Sequence, residues 1–407
     1  MRFFLLSICC FFGVSAKSQF LLPLEYDTNC IHQEFILHGT ADFGFTSIRN
    51  DFSKKLLFGG YIDAVTKDHS FNLHKGINRG GFDAGAEFEY RNYNVNLFKK
   101  GRGIVFKFGY GILGSVLYSK DLFGLTFYGN ESYLGQNADF SGSAFNLMAF
   151  QKLGVGLIDK KSKSNLTLNF YSISNYANGK FYNAGLYQSE SIDSLNLLLD
   201  ATVDIANTRN FVKGIGIGLD FDKRMSFELK KDRLAYIQMS FRNVGFGLLP
   251  SAVQRYAVDT AYVYEGFTLD QLIGDASVLN NGTSILDTLN IQESSKSRWA
   301  MLPGYIQIGK IVDEHNTSLF QSYFGTKLYY TLAYAPLIYI GGQIRIMELF
   351  KFGAHASYGG FTKFRLGCYA NFDIKKLNIG LGSEDIIGTI SKVGRGQSLQ
   401  FRLRCAF

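Results

Sequence analysis

The sequence predicts an all-β protein, a transmembrane antiparallel β-barrel of about 14 strands within a range of about 12 to 16. Three observations carry that expectation: an aromatic, glycine-rich and proline-poor composition, the lack of long apolar runs, and a strict two-residue alternation in many segments. The chain has 407 residues, 46% hydrophobic, 19% charged and 15% aromatic, with 44 Gly and 4 Pro. A disordered chain is poorer in apolar residues, and a collagen-like chain needs periodic Gly with abundant Pro. Helical membrane proteins show repeated apolar runs of about 18 residues or more. Beyond the N-terminus the nearest case is Lys327 to Arg345, which Pro336 and Gly341-Gly342 interrupt.

Residues 1–18 read as an export signal. Arg2 supplies the positive start, Phe3 to Ala16 the apolar core, and Ala16-Lys17-Ser18 the small residues before a cut that leaves Gln19. The apolar run is too short to span a bilayer. A lipoprotein reading through Leu6-Ser7-Ile8-Cys9 is weaker, because Ile8 is badly placed before the cysteine. Residues 19–407 then form a single barrel domain.

The last strand carries the clearest pattern. Leu399, Phe401, Leu403, Cys405 and Phe407 alternate with Ser398, Gln400, Arg402, Arg404 and Ala406. Strand side chains point to opposite faces in turn, so one face is apolar and the other polar and cationic. The terminal aromatic Phe407 resembles the signal by which outer-membrane barrels are recognised for assembly. The same alternation sets Phe82, Ala84, Ala86, Phe88 and Tyr90 against Asp83, Glu87, Glu89 and Arg91. It also sets Leu195, Leu197 and Leu199 against Asn196 and Asp200, and Leu166, Leu168 and Phe170 against Asn165, Thr167 and Asn169. Such segments match the roughly 9–11 residues a membrane strand needs. In lipid their backbone groups must be paired, which requires closure into a barrel.

Turn clusters such as Asp159-Lys160-Lys161-Ser162 and Tyr358-Gly359-Gly360 divide the chain into about sixteen strand cores, from 34–45 to 397–407. They include 56–65 and 194–206. Because bacterial barrels take an even number of strands, the expectation is about 14. The 38 Phe and 24 Tyr are expected in the lipid-facing surface and its girdles, since Trp299 is the sole tryptophan. The span 244–301 departs from the alternation and reads as an insertion with a short helix at Leu269 to Ile273.

Gly129 to Ser143, Phe145-Asn146-Leu147, Gln151 to Ile158, Gly216 to Asp220, Asn243 to Phe246, Tyr262 to Gly266 and Ser383 to Gly388 resemble an uncharacterised Bacteroidota family of outer-membrane barrels. That family is loosely similar to fatty-acid-channel and type IX secretion-associated barrels. The resemblance covers most of the mature chain and departs at Arg298-Trp299. It implies an outer-membrane location and no catalytic residue.

The residues point away from enzymatic and metal chemistry. The six histidines, His32, His38, His69, His74, His315 and His355, are scattered without an HExxH-type pair. His355 shares a face with Lys351 and Ser357, which suits a lumen or rim position. Cys30, Cys368 and Cys405 form neither a disulfide framework nor a CxxC pair. No cofactor is implied, and the net charge of +8 has no basic run behind it to suggest nucleic acid. The candidate lumen-lining residues are Asp83, Glu87, Glu89, Arg91, Lys107, Asp200, Asp204, Asp220, Arg242, Lys310, Arg345, Arg402 and Arg404. Asp259-Thr260-Ala261 and Asp287-Thr288-Leu289 resemble a Bacteroidota O-glycosylation acceptor, at Thr260 and Thr288. The expected function is a channel- or transport-like role for a small or amphipathic solute. The alternative is a non-conducting scaffold or accessory of a secretion or surface-protein system. The expected partners are outer-membrane lipid, the barrel assembly machinery and, in the second reading, a secretion or surface-protein component.

Overall fold

The computed structural model describes residues 32–95, 101–206, 210–230, 233–250, 253–264, 291–312, 318–347, 349–374 and 376–407. The export signal, Cys30, the helix expected at 269–273 and Thr288 lie outside them. The described chain forms nineteen strands. The first ten are β1 (Gln33–Phe45), β2 (Ile77–Asn92), β3 (Arg102–Ser119), β4 (Asn137–Asp139), β5 (Ala144–Asp159), β6 (Asn165–Gln188), β7 (Leu195–Ala206), β8 (Gly214–Lys230), β9 (Arg233–Leu249) and β10 (Val253–Tyr264). The others are β11 (Gln292–Ser295), β12 (Arg298–Met301), β13 (Tyr305–Ile311), β14 (Phe320–Tyr329), β15 (Ala335–Met347), β16 (Phe350–Gly360), β17 (Phe364–Ile374), β18 (Leu377–Ser383) and β19 (Gly396–Ala406). Four short α-helices, α1 (Asn50–Phe58), α2 (Ala64–Phe71), α3 (Lys120–Tyr128) and α4 (Ile386–Ile390), and one 3₁₀ turn (Glu131–Tyr133) accompany them in the described residues.

Fourteen strands close the wall in the order β1, β2, β3, β5, β6, β8, β9, β13, β14, β15, β16, β17, β18 and β19, every pair antiparallel. Closure is made by β19 on β1, from Glu34 opposite Ala406 to Gly44 opposite Gly396. Of the expected strand cores, 56–65 is instead the end of α1 and the start of α2, where Asp63 caps Thr66 N at 2.7 Å. The core 194–206 is a strand, β7, but it pairs with the far end of β6 and with β10, beyond the wall. The span 244–301 divides likewise: β9 runs on to Leu249, β10 and β11 join the extension, and β12 caps the end of β9.

The two ends of the barrel differ. Connections such as 160–164, 231–232 and 375–376 are short. In the first, Asp159 accepts bonds from the amides of Lys161 (3.1 Å) and Ser162 (2.7 Å), a side-chain substitute for a backbone turn. At the other end three long connections carry α1 and α2, α3, and α4, beside the short turns 330–334 and 361–363. There Ile48, Phe52, Tyr118 and Phe123 are buried together, and Asn50 donates to the carbonyls of Gly388 (2.6 Å) and Gly396 (2.9 Å).

The outer face is apolar around the circumference. Phe88, Phe108, Leu153, Leu168, Ile217, Phe246, Phe324, Ile340, Phe352, Leu366, Leu381 and Leu399 are all exposed. Phe35 stacks on Phe88 and Tyr90 and meets the terminal ring of Phe407 at 5.9 Å. Apolar surface on this scale around a closed barrel suits a hydrocarbon bilayer core. Phe108 sits amid this belt, opposite Phe88 and Leu153. Replacing Phe108 with Arg is expected to cost about 2–4 kcal/mol of folding free energy in lipid vesicles, measured by denaturant titration.

Candidate functional site in the barrel interior

Inward-facing residues alternate with the apolar belt, and many are charged, which the scarcity of charge in the chain concentrates inside. In the half nearer the short turns a charge lattice lines one side of the lumen, from β2 round to β9. Asp220 on β8 receives Lys107 Nζ from β3 at 3.0 Å, Lys152 Nζ from β5 at 3.0 Å and Arg242 Nη1 from β9 at 3.6 Å. The side chains of Lys107 and Asp220 are fully buried. Lys152 also binds Glu87 at 2.6 Å, and Arg242 binds Asp222 at 2.5 Å. A bulge opposite Asp220 places Asn243 at φ 50°, and its amide donates to Asp220 Oδ1 at 2.8 Å. Nearer the short turns Arg91 bridges Glu89 (2.9 Å) and Glu34 (3.4 Å), while Arg404 reaches Glu34 at 3.2 Å. Arg402, buried, donates to Asn378 at 3.0 Å.

Toward the long loops the lumen is aromatic. Tyr305, Tyr323, Tyr329, Tyr334, Tyr339, Tyr369 and Phe361 are buried in one cluster with Leu113 and Leu337. Room for these rings comes from glycines on neighbouring strands. Tyr369 lies over Gly353, Tyr323 over Gly341, and the Tyr339 hydroxyl over Gly325, where a Cβ would collide. Tyr329 donates to Asp83. These two residues stand on β14 and β2, half the circumference apart in either direction, so their bond joins opposite walls. Ser115 and Thr331 make a second crossing at 2.6 Å. Lys327 lies beneath, its ammonium 5.4 Å from the Tyr305 ring centre and 5.0 Å from that of Tyr329. His355 stands between Tyr323 (3.2 Å) and Glu384 (3.1 Å), and Gln400 donates to Glu384 at 2.7 Å.

Of the residues singled out by sequence, Asp83, Glu87, Glu89, Arg91, Lys107, Asp220, Arg242, Arg402 and Arg404 face the interior, and Arg345 faces it beside Lys351. Lys310 does not. It pairs with Phe324 and Ile237 on the outer face and donates to Ser322 O at 2.6 Å, because β13 presents its odd-numbered residues inward. Asp200 and Asp204 belong to the extension rather than the lumen, and Asp204 there binds Arg255 (2.7 Å) and Arg298 (2.5 Å). Thr260 lies within β10, opposite Leu199. The expectation that Tyr joins Phe on the lipid face meets a divided outcome: Tyr90 and Tyr358 lie on the outer face, whereas the clustered tyrosines from Tyr305 to Tyr369 face the lumen. In Tyr323-Gly325-Lys327-Tyr329 the aromatics share a face with a lysine and oppose Phe324 and Leu328, a signal the alternation already held. His38, Glu87 and Glu89 bring potential metal-ligand atoms within 4.8 Å of one another. Lys152 already holds Glu87 and Arg91 already holds Glu89, so the group reads as part of the charge lattice.

No protein-family profile matches the chain, and no curated protein does. Among solved structures it matches the Pseudomonas putida toluene transporter TodX at 9% identity, over 92% of this chain and 88% of that one, with a TM-score of 0.36. A Pseudomonas aeruginosa FadL homologue matches at 9%, over 92% and 89%, with a TM-score of 0.34. The translocator domain of autotransporter NalP from Neisseria meningitidis matches at 9%, over 94% and 90%, with a TM-score of 0.29. Likeness at that level carries neither ligand nor mechanism to this chain.

The charge lattice depends on its central carboxylate. Asp220→Asn leaves cations buried without their shared counterion and is expected to destabilise the barrel by about 3–5 kcal/mol. Adding Lys107→Met should restore part of that loss. Unfolding in urea, followed by the fluorescence of Trp299, measures both.

Proposed function

We propose that this protein is an integral outer-membrane barrel that passes a small amphipathic solute through a gated interior. The long connections then face the outside, and the short turns, with the start of β1 and the end of β19, face the periplasm. One observation carries the gating: in the described residues the barrier across the lumen is made of side chains, the Asp83–Tyr329 bond above all. Side chains change rotamer far faster than a folded plug can leave. The tyrosine layer offers ring faces together with hydroxyls, contacts that suit a solute with an apolar body and a polar group. Phe407, which closes the last strand against Phe35, is the residue we assign to recognition by the assembly machinery.

A scaffold role is the second reading, favoured by the extension of β6, β7 and β10 beyond the wall and by the Asp204 clamp inside it. Affinity purification from native membranes separates the two, since a scaffold brings a stoichiometric partner with it.

In planar bilayers the native barrel is expected to show little steady conductance. Asp83→Ala combined with Tyr329→Ala should raise ion and small-aromatic flux at least tenfold. A native barrel that is constantly open would overturn the gate. A double variant as closed as the parent, with no solute flux in vesicles, would overturn the transport reading.

A further inference from the structure

At the mouth on the long-loop side a group of cations has no carboxylate partner. Thr46, just past the end of β1, is flanked by two arginines. Its amide donates to Arg79 O at 2.9 Å, and its carbonyl accepts Arg395 Nη1 at 2.8 Å. Arg79 shares the inward face of Gly81 and Asp83 on β2, and its Nη2 reaches Thr362 O at 3.5 Å. Lys363 is the next residue, in the turn between β16 and β17, and Lys75 precedes β2. Three carboxylates of this end are engaged elsewhere: Asp42 and Asp385 with Arg365, and Asp51 with Arg49. Among the described residues, Lys75, Arg79, Lys363 and Arg395 form no ion pair, and Arg79 Nε is buried without an acceptor.

We infer that Lys75, Arg79, Lys363 and Arg395 form a binding site for a multiply charged oxyanion, a phosphate ester or pyrophosphate group, at the outer mouth of the barrel. Gathering four like charges is unfavourable unless a counter-charge arrives. The crowding is felt at Lys363, whose ammonium is held below its ordinary pKa by burial first and then by Arg395, Lys75 and Arg79. Guanidinium forks match the paired oxygens of a phosphate, and the ammonium groups add undirected charge. A single carboxylate would leave most of the charge unmatched, so the site selects anions carrying more than one charge. The same group is offered by a soluble phosphorylated compound or by a phosphorylated glycolipid of the surrounding leaflet. The inference concerns binding alone: binding without flux would leave it standing while overturning the transport reading.

Titration calorimetry on the whole protein in an uncharged detergent, with pyrophosphate, phosphate and acetate as probes, tests the site. Pyrophosphate is expected to bind at least tenfold more tightly than acetate and to weaken as salt rises. Arg79→Gln and Arg395→Gln should each weaken it at least tenfold, and Lys376→Gln at the opposite end should leave it unchanged. Lys363→Gln, whose side chain makes no hydrogen bond among the described residues, serves if the arginine variants fail to assemble; it should weaken binding severalfold. Equal affinity for pyrophosphate and acetate, or native affinity in assembled Arg79, Arg395 and Lys363 variants, overturns the site. In nanodiscs, competition between pyrophosphate and added lipopolysaccharide assigns the lipid as the source of the phosphate. Undiminished pyrophosphate binding there assigns a soluble one.

Discussion

A closed sheet in a bilayer leaves each strand residue two choices, lipid or lumen, and that constraint governs the rest of this protein. Backbone groups are satisfied by the ladder from β1 round to β19. The side chains must then divide by parity. Most phenylalanines, leucines and isoleucines take the outer face, so the lumen receives the clustered tyrosines and most of the charge. Charges taken out of water have to find one another. Lys107, Lys152 and Arg242 therefore converge on Asp220 from different parts of the wall.

Filling the interior from the wall has a mechanical consequence. Glycines on adjacent strands let Tyr323, Tyr339 and Tyr369 lie flat against the sheet, while Tyr329 extends to the opposite side and binds Asp83. The interior thus has an aromatic layer toward the long loops and an ionic layer toward the short turns. They differ in how they yield. The aromatic layer, joined to the opposite wall by the Tyr329–Asp83 and Ser115–Thr331 hydrogen bonds, yields by rotation of a few side chains. The ionic layer, with Asp220 shared among several cations, resists piecemeal opening because each broken pair exposes a buried charge.

The barrel was legible in the sequence because period-two alternation is a direct image of its two faces. The Asp83–Arg91 and Ser398–Arg404 faces point inward as the alternation requires. Removing 56–65 and 194–206 from the expected strand cores leaves the fourteen wall strands. Both misplacements have a local cause. Residues 56–65 are apolar enough for a strand, but Asp63 caps a helix there. β7 alternates as a wall strand does, and nothing in its own residues says that β6 outruns the wall and takes it as a partner. Lys310 was misplaced because a single lysine in a short strand does not reveal parity; its neighbours Gln307 and Gly309 do. The contacts that define the candidate site were not legible. The pairing of Tyr329 with Asp83, or of Lys107 with Asp220, is fixed by the circumference of the closed sheet, which no local pattern encodes.

Opposite walls of this barrel meet through side chains in the lumen, Tyr329 with Asp83. A double-mutant cycle on Asp83→Asn and Tyr329→Phe, read as folding free energy in lipid vesicles, tests it most directly. Residues in contact should show a coupling of about 0.5–3 kcal/mol, whereas additivity within about 0.3–0.5 kcal/mol would mean that the two walls do not touch.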